Sequence, residues 1–471
     1  MSKKHPQASM ASPHLVVVPL PLYGHISPML RLSLQLASLG NKVTFIASGR
    51  TQAATLSAFE SSLSHIDDAE TVRSGLSFEF IPDEDSVELE QGGEEGLWAV
   101  LRWMSAQHGT VDQIVESSVS RHGQISCVIL DFLALHLRDV ADKHNASVAL
   151  FWTPSPPWLL LCLQVKAFVD GGYAPLTPSN ALSTVSGLTG VPALCNYMDV
   201  PTALLKPRDQ QLERTLELAQ YLIEAPWVIV NTIPELDSQS LACIRQLGVK
   251  LVTLGPLLPM DDPVAPDDLP ILSWLHEKPP LSVLYICFGT LAEHSAEQLQ
   301  ELASALEELN QNLFFLWALR RSQQPSLSEE FQRRTSARGM VVPWCSQLQI
   351  LKHPSIGGFV THCGWNSILE SLSCGVPLVG WPSIAEQSLN AKYLVDVWKV
   401  GARIISRNPD ASTRFVTQSE ISDAIATVMI AEEGREMRRR ARDIQKAADR
   451  AMRSSLVEAR RWAQSFKSAG K

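Results

Sequence analysis

Long apolar runs, a basic excess, paired cysteines and a glycine-rich first turn are all missing from this chain, and each absence removes a class of function. No stretch reaches the roughly 18 uninterrupted apolar residues that a spanning helix needs. The longest candidate, Trp158 to Val169, is interrupted by Gln164 and Lys166 and reads as a buried helix, so stable membrane insertion is not expected. With 40 Lys+Arg against 49 Asp+Glu the formal charge is −9. That balance tells against a nucleic-acid partner, because a phosphate backbone is held by a basic face. The eight cysteines are scattered, with no CxxC and no His/Cys metal spacing. Reduced, buried thiols are therefore expected rather than disulfides or a zinc site. The first turn, Pro19 to Gly24, lacks GxGxxG, which counts against a nicotinamide or flavin enzyme. Residues Met1 to Ser12 are polar, with no apolar segment of the secretory kind, and a cytoplasmic location is expected.

What is present is a chain of 471 residues, 45% hydrophobic and 19% charged, long enough for two domains. His14 to Leu20 reads as a buried strand and Ile26 to Leu39 has helical spacing closed by Gly40; Lys42 to Ala47 is the next strand. This βαβ unit is the mark of a doubly wound parallel sheet. An acidic, glycine-bearing stretch from about 60 to 95 reads as a loop or lid. Its Asp83 and Asp85 mimic the Asp-x-Asp of metal-dependent transferases but follow no strand and read as solvated surface. Strands are expected at Ile125 to Leu130, Ser147 to Trp152 and Trp227 to Asn231, with Asp131 ending the first of these. Four prolines and four aspartates then crowd residues 255–268, a composition that resists regular structure.

A second strand series follows at Ser282 to Phe288, Leu313 to Leu319, Val341 to Pro343, Ile356 to Val360 and Val376 to Gly380, with Ser295 and Gln298 shaped as a capping box. The expected fold class is α/β, two Rossmann-like domains whose parallel sheets face each other across a cleft. Their expected bounds are 1–250, a linker 251–275, 276–445, and a C-terminal helix 446–471 returning to the first domain. That helix carries a small-and-apolar stripe from Met437 to Phe466, with arginines on its other faces.

Chemistry concentrates between Trp344 and Gln387. Strand Ile356 to Val360 feeds Thr361, His362, Cys363, Gly364, Trp365, Asn366 and Ser367 and then a helix. Such a turn aims unpaired N–H groups and the positive end of a helix dipole at one point, which suits a diphosphate. Glu370 lies one helical turn beyond Asn366, where a carboxylate can take a ribose hydroxyl pair. Trp344 offers a flat face for a base but is also an ordinary core residue type. Glu386 and Gln387 pair a carboxylate with an amide, suited to sugar hydroxyls.

This stretch resembles the signature box of plant-type UDP-dependent glycosyltransferases, and the likeness extends over essentially the whole chain through Gly24, His25, Pro28, Asp131, Asn231, Glu235 and Phe288 to Thr290. The resemblance implies the two-domain GT-B fold and transfer of a sugar to a small lipophilic acceptor. It assigns uracil to Trp344, Gln347 and the backbone at Cys345, and the ribose to Glu370. It gives the diphosphate to Thr290, His362, Asn366 and Ser367, and the sugar to Trp365, Glu386 and Gln387. Cys345, Cys374 and Thr290 depart from the usual residues without removing a needed group. Gln387 at the last box position is similar to the glucose users of the family.

His25 follows the first strand at the sheet's C-terminal edge, where its imidazole is either a turn residue or a general base. Asp131 also ends a strand and could orient it. The resemblance makes the two a catalytic pair that takes a proton from the acceptor while UDP leaves, giving a β-glucoside with inversion. No metal or other cofactor is implied, UDP-glucose being the co-substrate, and a monomer is expected. Trp98, Trp152, Pro154 and Trp158 suggest a pocket for a flat acceptor such as a flavonoid or another phenol. A nucleotide-sugar epimerase or hydrolase, or an inactive binding protein on the same scaffold, are the alternatives.

Overall fold

The structure is a computed structural model that describes residues 12–466, apart from 65, 83–92, 175–176, 178–179, 182, 206–209, 259–265, 291, 293, 310–312 and 407–414. In the first domain the strands are β1 (His14–Val18), β2 (Lys42–Ser48), β3 (Leu76–Ile81), β4 (Ile125–Asp131) and β5 (Ser147–Trp152). A short antiparallel hairpin, β6 (Thr184–Val185) with β7 (Leu194–Cys195), precedes β8 (Trp227–Asn231) and β9 (Leu251–Leu254). The large sheet is all parallel in the order β3-β2-β1-β4-β5-β8-β9. The second domain holds β10 (Val283–Cys287), β11 (Phe314–Ala318), β12 (Gly339–Val342), β13 (Ile356–Thr361), β14 (Leu378–Gly380) and β15 (Gly401–Arg403). They form a parallel sheet in the order β12-β11-β10-β13-β14-β15.

Both sheets are covered by helices on both faces, so their central strands read as continuous apolar runs. Every residue of β1 and of β13 is buried. Each strand order reverses once, between β1 and β4 and between β10 and β13. In an open parallel sheet the crevice beyond such a reversal is where ligands lie.

Several elements differ from expectation. Helix Gln52–Leu63 runs into the acidic stretch, which contains helix Ala69–Gly75 and the edge strand β3, whose alternation of Leu76, Phe78 and Phe80 with Ser77 and Glu79 is a half-buried strand pattern. Residues 83–92, with Asp83 and Asp85, lie outside the described residues. Leu251–Leu254, expected in the linker, is the last strand of the first sheet. The expected helix from Trp158 breaks at Gln164 into Pro156–Leu163 and Val165–Asp170. There the Gln164 amide bonds both backbone groups of Thr189. Ser295 caps its helix as expected, but Gln298 does not complete a box, because its amide brackets the N–H and C=O of Val416.

The final helix is continuous from Glu432 to Ser465, roughly 50 Å at 1.5 Å per residue. It starts on the second domain and ends on the first, where Ala459, Trp462 and Ala463 join the core with Leu15, Met29 and Leu254. Its buried stripe is of small residues, Ala441, Ala448, Ala451, Ser455 and Ala459, while the expected Met452 and Leu456 are exposed. Small side chains let the helix lie close to the backbone it crosses: Gly255 N–H donates to Ser455 Oγ at 3.0 Å.

Candidate active site

On the first-domain side, Leu22 is extended and the chain turns into helix Tyr23–Ser38 at once, which puts His25 in the first helical turn beyond β1. Pro28 lies one turn further on and has no N–H for the Gly24 carbonyl. That carbonyl is taken instead from across the cleft, by Asn366 Nδ2 at 2.8 Å.

Asp131 ends the neighbouring strand β4 and is fully buried. One carboxylate oxygen accepts from Leu133 N–H at 3.0 Å. The other lies 2.7 Å from His25 Nδ1 and accepts from Thr153 Oγ at 3.1 Å. Burial by itself pushes the His25 imidazole down, but the charge and hydrogen bond of Asp131, helped by Glu386, outweigh it and hold the pKa above its ordinary value. With Nδ1 committed to Asp131, Nε2 is the nitrogen available to a ligand, and His25 borders the cavity. Thr153, which sequence reasoning missed, is the first residue beyond β5; its signal was a lone hydroxyl following a buried apolar strand.

On the second-domain side, β10 and β13 end together, with Cys287 opposite Thr361. Gly289 has φ +73°, and a Cβ there would sit 2.8 Å from His362 Cε1. His362 is thus seated against a backbone that only glycine allows. Burial, with a smaller push from His294, lowers His362 to about 4, so it is neutral and offers a donor rather than a charge. Cys363 holds a left-handed φ of +65° before Gly364 opens helix Trp365–Ser373. The N–H groups of that helix start face the same cavity as His25.

Glu370 is raised to about 7 by burial, against the opposing hydrogen bond from Gln347. Gln347 Nε2 donates to Glu370 Oε2 at 2.7 Å and to Ser367 Oγ at 3.1 Å, joining three expected site residues in one network. Trp344 is 62% exposed on the cavity wall, which decides against its being core. Cys345 is buried, 3.4 Å from the Tyr285 hydroxyl, and its thiol is pushed up to about 12 by desolvation. Thr290 lines the cavity near Arg320, which donates to its carbonyl.

Two of the three expected sugar contacts are narrower than their side chains suggest. Trp365 is buried with its indole N–H on the Asn231 carbonyl at 2.7 Å, so no indole donor is left for a sugar. The Gln387 carbonyl accepts from Ser383 and Ile384 N–H, which leaves its amide nitrogen to point donors elsewhere. Glu386 lines the cavity, raised by burial and lowered in smaller measure by the charge of His25.

One cavity of about 1060 Å³ spans both domains and reaches from Trp344 past His25 to Trp98. Trp98, Pro154 and Trp158 line it, joined by Phe132, Leu101 and Leu218. Trp152 does not: it is fully buried, its ring 4.5 Å from that of Phe132 and its N–H on the Ser155 carbonyl. A parallel strand is buried on both faces, so no alternation told which way Trp152 points. The guanidinium of Arg214 lies over Trp98 at 5.3 Å. Among the described residues no group of metal-ligating side chains gathers and no helix is long and apolar enough to cross a membrane.

Comparison with known proteins agrees with this geometry. Residues 266–438 match the family described as UDP-glucoronosyl and UDP-glucosyl transferase. A mogroside I-E synthase of Siraitia grosvenorii is 33% identical over 93% of each chain. A 7-deoxyloganetin glucosyltransferase of Catharanthus roseus is 29% identical over 91% of this chain and 90% of its own. A solved UDP-glucosyltransferase of Polygonum tinctorium, able to glucosylate indoxyl, superposes with TM-score 0.82 at 25% identity, covering 98% of this chain and 100% of that one. An anthocyanidin 3-O-glucosyltransferase solved with UDP gives 0.77 at 26%, covering 96% and 99%. These relatives, with two parallel-sheet domains, a helix start at one reversal and a histidine–aspartate pair at the other, lead to one conclusion: this chain belongs to the plant UDP-glycosyltransferase family and is a UDP-glycosyltransferase of GT-B fold.

Proposed function

We propose that the enzyme transfers glucose from UDP-glucose to a hydroxyl of a small lipophilic acceptor, a flavonoid or another phenol, forming a β-glucoside with inversion. The observation that carries this reading is the His25–Asp131 contact of 2.7 Å, which opens on the same cavity as the helix start at Gly364. In the proposed step His25 Nε2 takes the acceptor proton as the acceptor oxygen bonds to the anomeric carbon. The bond from that carbon to the diphosphate oxygen breaks, and UDP departs toward helix Trp365–Ser373. Asp131 holds the imidazole tautomer and stabilises the imidazolium that forms. Developing charge on the diphosphate meets N–H donors and the positive end of the helix. Trp344, Gln347 and Glu370 would hold uridine; Glu386 and Gln387 would hold the sugar. Trp98, Phe132 and Trp158 favour a flat apolar acceptor, and relatives named for indoxyl and anthocyanidin glucosylation support that class.

The test is incubation with UDP-glucose and a phenolic panel, reading UDP release and product mass. Release that needs an acceptor, with a mass gain of one hexose, supports transfer. Acceptor-independent release points to hydrolysis instead. We further propose that no metal takes part, so a chelator should leave the rate unchanged; a loss restored by a divalent ion would place a metal on the leaving diphosphate.

A further inference from the structure

Asn390 sits at a junction that the reaction as described does not use. It is fully buried in helix Gln387–Asp396 of the second domain. Its Oδ1 accepts from Ser155 Oγ of the first domain at 2.6 Å. Its Nδ2 donates to the carbonyl of Cys363 at 3.0 Å and, more weakly, to Glu386 Oε1 at 3.4 Å. One amide therefore touches three parts of the site.

Each arm ends on something that matters. Cys363 is the left-handed residue of the loop between His362 and Gly364, a conformation in which a non-glycine residue is strained unless its surroundings hold it. Asn390 supplies a buried donor to that residue's carbonyl. Glu386 borders the cavity on the donor side and acts electrostatically on His25. Ser155 lies two residues after Thr153, whose hydroxyl bonds Asp131 at 3.1 Å. Pro154 between them and Pro156 after them restrict φ at both places, so the segment behaves as a short stiff strut. Pro154 itself lines the acceptor end of the cavity.

We propose that Asn390 is a positioning residue that fixes the acceptor loop of one domain against the diphosphate loop and sugar carboxylate of the other. Acceptor alignment at His25 then depends on the same amide that shapes the donor site. This inference rests on the proposed transfer reaction, and Asn390 touches neither substrate in it.

The experiment is a double-mutant cycle with Asn390→Ala and Ser155→Ala, reading UDP affinity by calorimetry and kcat with the separate KM values. Ser155→Ala removes only the bond between the domains; it should leave UDP affinity within about twofold while kcat falls about 5- to 10-fold, the size expected for one buried hydrogen bond. Asn390→Ala should lower kcat similarly and also weaken UDP about 10-fold through the Cys363 carbonyl. Because both changes delete one shared bond, the double variant should be no slower than Asn390→Ala alone within about twofold. Wild-type kcat in Ser155→Ala, or losses that multiply in the double variant, would overturn the proposal. Should Asn390→Ala fail to fold, Ser155→Ala alone still decides by its kcat against UDP affinity. Should the unaltered enzyme bind UDP yet transfer to no acceptor, the proposed function fails by itself, and wild-type UDP affinity in Asn390→Ala would still refute the junction.

Discussion

His25 shows how much a single residue can disclose and what it withholds. Its place after β1 was legible because strand ends and their first turns can be read from apolar runs. Its contact with Asp131 was expected from two strand ends and from the family resemblance, not from periodicity, since it needs β1 beside β4 and strand order is set by packing. Replacing His25 by Ala should reduce kcat about 100- to 10,000-fold while UDP still binds, as measured by turnover and calorimetry. In the proposed step the neutral imidazole is the base, and Asp131 holds its pKa above the ordinary 6.5. The acid limb of kcat/KM should therefore lie above pH 6.5 and move down in Asp131→Asn; a limb unmoved by that change would remove Asp131 from the pair. Glu370 runs the other way energetically. Its folded pKa of about 7 exceeds the ordinary 4.5, so relative stability present below pH 4.5 is lost as pH rises through 7. Glu370→Gln should thus raise the melting temperature of the ligand-free enzyme at pH 8, a gain on the order of 2 kcal/mol for a half-buried group, with none at pH 4.5. The same variant should raise the donor KM, which separates stability from function.

Among elements, long periodic helices and buried strands were read close to their observed bounds, as at Ser147–Trp152. Short or edge elements escaped: β3 alternates with polar residues, and β15 has three residues, too few for any period to show. The last helix was seen, and Ala441, Ala448, Ala459 and Ala463 of its expected stripe are buried, but Met452 and Leu456 are not. Along the middle of that face size decided rather than hydrophobicity, since Ala448, Ala451 and Ser455 are buried while Leu456 stays outside. Ala459 is fully buried there, and Ala459→Leu should destabilise by about 1–3 kcal/mol in a chemical denaturation curve. At the loop after β10, Gly289→Ala meets both a left-handed φ and the His362 ring. It should cost about 1–2 kcal/mol and weaken UDP binding; unchanged affinity would show that His362 can shift without consequence.

At the scale of the molecule, the two reversals of strand order place His25 and the helix start at Gly364 on one cavity, an arrangement that no local pattern encodes. What the sequence showed was the chemistry of each half; the faces they turn to each other came from packing. Ion pairing adds to this contact, since buried Asp199 of the first domain meets Arg403 of the second. Pro28 gives that contact a further meaning. A proline there leaves the helix that bears His25 one hydrogen bond short at Gly24, and the missing donor arrives on Asn366, from the helix that opens at Gly364. The turn carrying His25 therefore has a protein partner for that carbonyl only while the other half of the enzyme stands beside it. Were the halves to part, water would take that carbonyl, and the turn of His25 would lose its tie to the helix start at Gly364.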